Sequence, residues 1–428
     1  MKTVQRAVLM LRRSKKETIS FIMTLTISIG LLYLFVNLQI ATKQNEINIL
    51  EISDTTDLIM LIFTLAIAGI CAWNSFNANT FFQKAKSKEL CVYLSSGMNI
   101  VTLSKYLLVQ NFILLIISTI LGGILGIIFN PIVNLLIMIL TSTSLPLFNI
   151  TIYGTLTWIA ILIFEFIFMV MSNVGYAYRT ELKYLLDNSH RLDIGDTRMF
   201  KAKDPLYYVF FILGAIMLLI LPAKDIFPMV GCVIGIFGLQ GILRYAIPKR
   251  LELMKNQHTN LNSEKILIVG ALYSLVKTMC FYIIILFALL ILMSCFLFAY
   301  DMSNYMRIVL CIGYMLLLIM IGISIYYKLI IEAKKQVDEY YHLQLLGFLK
   351  KDLENIVKKE IRLIFLIILA APFPYAIIIG LRFLFIQKIS FILCLYVLLS
   401  YIVVLSLIGL FTEHIYLKII FQKDKGEE

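Results

Sequence analysis

The chain has 428 residues, 61% of them hydrophobic and only 15% charged, with a formal net charge of +12 and a mean hydropathy of +0.90. Soluble domains carry about 25% charged residues, so this composition excludes a water-soluble globular protein. In lipid every backbone amide needs an internal partner, which leaves helices or a closed barrel, and the alternation a barrel strand requires is absent. The expected fold is an all-α polytopic membrane protein.

Taken in chain order, ten apolar runs are long enough to span a hydrocarbon core of about 30 Å, which takes roughly 20 helical residues. They lie at 18–38, 57–74, 107–130, 152–173, 206–222, 227–244, 279–300, 307–327, 361–384 and 389–411. The first lacks a small-residue cleavage site after it and is read as retained. With the N-terminus placed inside, every Lys and Arg falls on the inner side except Lys43, Lys224, Arg307, Arg382 and Lys388. This positive-inside asymmetry puts both termini in the cytoplasm. It also accounts for the net charge through anionic lipid headgroups, with no nucleic acid needed. The resulting organisation is a cytoplasmic amphipathic lead-in at 1–17, a first half at 18–205, a pair of spans with a linker at 206–278, and a second half at 279–428. No loop is long enough to fold as a separate domain. The seven cysteines have no paired spacing and the four histidines are isolated, so neither a disulfide framework nor a metal site is expected.

The most informative stretch is Phe81-Phe82-Gln83-Lys84-Ala85-Lys86-Ser87-Lys88-Glu89-Leu90, continuing to Ser96-Gly97-Met98. Its echo is Glu332-Ala333-Lys334-Lys335, then Glu339, then Leu346-Gly347-Phe348. Superposing Gly97 on Gly347 sets an offset of 250, at which Glu89 meets Glu339 and Gln110 meets Glu360. Both copies fall on the inner side, so the repeat is parallel, with a pseudo-two-fold along the membrane normal. The plainer reading is that each stretch is a solvated basic loop obeying the positive-inside rule. The recurrence of Glu and Gly at one offset favours paired docking helices instead. In that reading Lys86, Lys88, Glu89, Lys334, Lys335 and Glu339 supply ionic contacts that fix register. Gly97 and Gly347 end each helix in a left-handed cap.

After the first copy, Gly122 and Gly126 form a small-xxx-small face suited to close helix packing. The offset places Pro372 opposite Gly122, with Pro374 two residues on, where proline bends a helix. Both features read first as packing devices rather than cargo contacts. Glu165 lies deep in the fourth span, where a charged acid costs about 2.5–3.5 kcal/mol on insertion scales. It is either a polar switch or cargo contact, or an acid hydrogen-bonded to a neighbouring helix.

At these residues the chain resembles the FtsX-like permeases of bacterial ATP-binding cassette (ABC) transporters, in particular the ten-span bacitracin and antimicrobial-peptide exporter type. The basic lead-in Arg6 to Lys16, the paired aromatics and Glu-Leu of 81–90, Ser96-Gly97-Met98, Glu360, and Tyr178-Arg179-Thr180-Glu181-Leu182 carry the resemblance. Gln110 departs from the acid usual in the family. The family's large outer domain between spans seven and eight has no counterpart, since only about 301–306 separates those spans. The resemblance implies ten transmembrane helices in two FtsX-like halves with pseudo-two-fold related coupling helices, in a bacterial cell membrane.

It further implies a permease subunit that moves or releases an amphipathic peptide or lipid-linked molecule, in peptide resistance or export. The expected partners are two copies of a cytoplasmic ABC ATPase, membrane lipids, and a sensor kinase or a subunit supplying the outer domain. No Gly-rich phosphate loop ending in Gly-Lys-Ser/Thr occurs, so the chain is expected to be no enzyme and to hold no cofactor, ATP and Mg belonging to the partner. Closure of that ATPase would drive rigid-body motion of one half. The competing reading is a signalling or immunity subunit that relays conformational state to a membrane kinase. An ion-coupled transporter is disfavoured because the spans lack paired acids near mid-membrane.

Overall fold

A computed structural model describes residues 11, 15–46, 54–86, 90, 92–93, 95–97, 99–141, 146–179, 204–220, 227–257, 263–299, 304–385 and 391–421. Every regular element among them is helical. In chain order these are α1 (Lys15–Glu46), α2 (Asp54–Ala85), α3 (Ile100–Thr141), α4 (Ile152–Arg179), α5 (Asp204–Ile220) and α6 (Phe227–Gly241). A π turn at Ile242–Ala246 leads into α7 (Ile247–Gln257). Then come α8 (Ser263–Ala299), α9 (Asn304–Leu345), α10 (Lys350–Ala370), α11 (Phe373–Phe385) and α12 (Phe391–Ile420).

Nine stretches among the described residues are long and apolar enough to cross a membrane. Each overlaps one of nine of the ten expected spans, α10 and α11 together making one stretch and α6, the π turn and α7 another. The run expected at 206–222 lies on α5, whose 17 residues reach only about 25 Å at 1.5 Å per residue. The helices also outrun their apolar cores. The second reaches Ala85 rather than 74, the third runs over Ile100–Thr141 rather than 107–130, and α9 continues to Leu345 rather than 327. Much of the inner loop expected at 75–106 is therefore helix.

The chain divides into two compact units. One comprises Met1–Ile194 with Met302–Met320, the other Gly195–Asp301 with Ile321–Glu428. In the first, α1 is the central helix, packed by α2, α3 and α4. Its Phe21, Leu25, Ile29, Leu32 and Phe35 are fully buried at three- and four-residue spacing. Lipid is as apolar as leucine, so burial alone stabilises little here and close packing carries more. Gly122 and Gly126 supply it: a Cβ at Gly122 would stand 3.0 Å from Ile29 and from the Thr26 carbonyl, and one at Gly126 would stand 2.5 Å from the Tyr33 ring. The small-residue face is thus the seat of α1.

In the second unit α8 packs against α6, α7, α10 and α11, while α10 also packs against α12. The break between α10 and α11 falls at Ala371 and Pro372. Pro372 has no amide to continue the ladder. Pro374, in the first turn of α11, sits where a missing amide costs nothing. Tyr375 anchors the restart by donating from its hydroxyl to the Phe211 carbonyl at 2.6 Å.

Candidate functional site

In the first unit, α2 ends at Ala85 and the Leu90 amide donates to the Lys86 carbonyl at 2.9 Å. Leu90 is fully buried against Leu103, Tyr106 and Leu107 of α3. This contact pins the short piece that follows to the helix it feeds. Ser95 and Ser96 turn their hydroxyls back onto the carbonyls of Val92 and Tyr93, and Gly97 follows with φ of +86°. The Asn99 carbonyl then accepts from Thr102 and Leu103, opening α3.

The second unit repeats these steps. Tyr340, at the position of Leu90, is buried on the last turns of α9. The helix closes in a Schellman motif: the Phe348 amide donates to the Leu343 carbonyl at 3.3 Å and the Gly347 amide to the Gln344 carbonyl at 3.0 Å. Gly347 has φ of +97°. The Leu349 carbonyl accepts from Asp352 and Leu353, opening α10, with Asp352 in the first turn complementing the helix dipole. Among the described glycines, Gly97 and Gly347 are the two with positive φ. A Cβ at either would meet nothing within 4 Å. Glycine is therefore needed for the backbone angle, not for space.

The register continues beyond the turns. α10 buries Leu353, Ile356, Val357, Glu360, Ile361, Ile364, Phe365 and Ile368. The residues 250 earlier on α3, from Leu103 and Tyr106 through Gln110 and Asn111 to Ser118, are buried at every one of these positions. The paired polar residues each meet a tyrosine. Gln110 donates to the Tyr106 hydroxyl at 2.7 Å, whereas the Tyr340 hydroxyl donates to both carboxylate oxygens of Glu360 at 3.0 and 3.1 Å.

The expected ionic residues are scattered in environment. Lys86 is not on the surface: it is buried, with Nζ over the Phe82 ring at 4.1 Å. Lys88 and Glu89 lie outside the described residues. Lys334 and Glu339 are exposed, while Lys335 reaches back to buried Glu332 at 3.2 Å. The second turn exposes three apolar residues, Leu345 at 68%, Leu346 at 77% and Leu349 at 70%. Their counterparts Ser95, Ser96 and Asn99 are exposed and polar.

Glu165 is buried in α4, and the Ser75 hydroxyl donates to its Oε2 at 3.4 Å. It stands at one end of a polar seam that the sequence reading missed. Asn79 donates to the Asn173 side-chain oxygen at 2.7 Å, Gln83 donates to the same oxygen, and Asn111 donates to the Asn79 oxygen. Immediately before Ser75, Asn74 donates to Ser28 at 3.0 Å and to the Met320 carbonyl at 3.2 Å. The spacing Ser75, Asn79, Gln83 was the available signal, because residues four apart share a helix face. Ending the span at 74 hid it. Among the described residues no cluster of His, Cys, Asp or Glu could hold a metal ion.

No protein-family model matches the chain, and no curated protein matches it. The membrane-spanning, all-helical architecture therefore rests on the chain's own long apolar helices.

Proposed function

We propose that the chain is the permease subunit of an ABC transporter, driven by a separate cytoplasmic ATPase and moving or releasing an amphipathic peptide or lipid-linked molecule. The observation that supports this most is the pair of left-handed glycine turns at one offset, Gly97 and Gly347, each ending a helix and feeding another. An ATPase that works as a dimer needs two sockets on one face of its membrane partner. In this reading the chain crosses the bacterial cell membrane ten times, α5 counted, with both termini and both turns in the cytoplasm.

The two sockets bind by different chemistry. Leu345, Leu346 and Leu349 insert into an apolar cleft, where buried anchors carry most of an interface's energy. Ser95, Ser96 and Asn99 hydrogen-bond to the other copy. Cargo enters sideways from the lipid, since the loops between the outer ends of the spans are short. The test is co-expression with the cassette ATPases of the source genome and purification through this chain. Reversing charge at Glu89 and Glu339 together, with Leu346→Asp, should abolish recovery of an ATPase. Undiminished recovery would refute the docking assignment.

A further inference from the structure

A groove of about 730 Å³ runs along the second unit between α10–α11 on one side and α12 on the other. Its walls are apolar, with Phe365, Leu366 and Leu369 facing Leu410, and Phe373 and Ile377 continuing past the proline break. Gly409, in the lining, lets α12 approach α10 closely, since a Cβ there would already stand 3.1 Å from the Phe365 ring. Ser406, the uncharged polar residue of the lining, spends its hydroxyl on the Val403 carbonyl of its own helix at 3.0 Å.

The charged groups of the lining are Arg362 and Glu413, and they meet at one end. The Arg362 Nε donates to Glu413 Oε2 at 3.0 Å and a terminal nitrogen to Oε1 at 2.9 Å. Two of the guanidinium's five N–H groups are thereby used, leaving three. The exposures are unequal: the Arg362 side chain is 68% exposed and that of Glu413 12%. The carboxylate is thus the buried partner and the guanidinium the exposed one, so the end of the groove presents the arginine outward. Lys358 stands one turn before Arg362 on the same stripe of α10. From Arg362 to Ala370 the α10 wall rises about 12 Å at 1.5 Å per residue, and the lining continues past the break to Ile377, the scale of one leaflet of a core about 30 Å thick.

We infer that this groove is a binding site for a single anionic phospholipid, its phosphate on Arg362 and one acyl chain lying along the trough. A cationic end on an otherwise apolar slot matches an amphiphile of that shape, and basic pockets between spans select anionic headgroups. The arginine has fork geometry suited to phosphate oxygens while it still holds Glu413 in place. The site does not depend on the transport reading, because it requires only that the second unit lie in a bilayer.

The test is lipid retention by the full chain. The protein would be reconstituted in vesicles of equal phosphatidylglycerol and phosphatidylcholine, extracted in mild detergent, and weighed by native mass spectrometry. Wild type should retain one phosphatidylglycerol in preference to phosphatidylcholine. Arg362→Gln should lower that occupancy by about tenfold, as expected for loss of one charge-assisted contact. Ser406→Phe, which fills the trough and leaves the charges in place, should lower it comparably without lowering the thermal midpoint. Lys265→Gln, an exposed cation on α8, should change nothing. Equal retention of the two lipids, or undiminished retention in Ser406→Phe, would overturn the proposal, and Ser406→Phe alone decides it if Arg362→Gln does not fold.

Discussion

The turns at Gly97 and Gly347 have the same backbone logic and opposite surfaces. Each glycine is left-handed, each is followed after two residues by a helix start, at Ile100 and Lys350, and each of those helices buries the same face. Outside, three hydroxyl or amide residues at 95, 96 and 99 occupy the positions that leucines hold at 345, 346 and 349. Inside, the substitution runs the other way: Leu90 and Gln110 in the first unit stand where Tyr340 and Glu360 form a buried hydrogen-bonded pair in the second. The repeat constrains the path of the chain, while the chemistry at each turn has diverged. In the proposed docking role, such a repeat would present one shape to two copies of a partner and still distinguish them.

The largest effect expected is at the buried pair. Tyr340→Phe strands a buried carboxyl group without its hydroxyl donor and should cost about 1–3 kcal/mol of unfolding free energy in detergent. Tyr106→Phe removes a hydrogen bond to a neutral amide and should cost about 0.6 kcal/mol, the average for such bonds in membranes. Equal costs would break the distinction drawn between the two units. Next come Gly97→Ala and Gly347→Ala, each about 1–2 kcal/mol from the left-handed angle, measured by the same unfolding curves. A clear inequality between them would show that the turns are not equivalent in backbone. Asn79→Leu, in the seam of the first unit, should cost between about 0.6 and 1.7 kcal/mol. Its effect sharpens the comparison, because the second unit has no matching amide cluster among its described residues. Smallest is Glu339→Gln, which should shift stability by less than about 0.5 kcal/mol as an exposed charge; a larger loss would mean that it holds the turn together.

Much of this was legible in the sequence, but unevenly. The apolar runs announce helices because lipid leaves the backbone no alternative, and the offset of 250 could be read from Gly97, Gly347, Gln110 and Glu360 alone. Helix ends were misplaced wherever polar residues pair sideways instead of meeting water. Asn79 and Gln83 read as the start of a loop, yet Asn173 and Asn111 satisfy them inside a helix that continues to Ala85. Lys86 read as a surface charge, whereas Phe82 on the preceding turn covers it. Pairing of this kind depends on which helices become neighbours, which a hydropathy profile does not encode. The groove beside Arg362 was illegible for the same reason, since Glu413 lies 51 residues away on another helix.

The proposed seating of both turns on the same kind of ATPase is tested most directly by site-specific cross-linking. A photoreactive residue at Ser96 in one variant and at Leu346 in another would be activated in intact cells, and the trapped proteins identified by mass spectrometry. The account predicts that both positions capture one protein, carrying a nucleotide-binding phosphate loop, at comparable yield. Capture at one position alone, or of a protein without that loop, would contradict it.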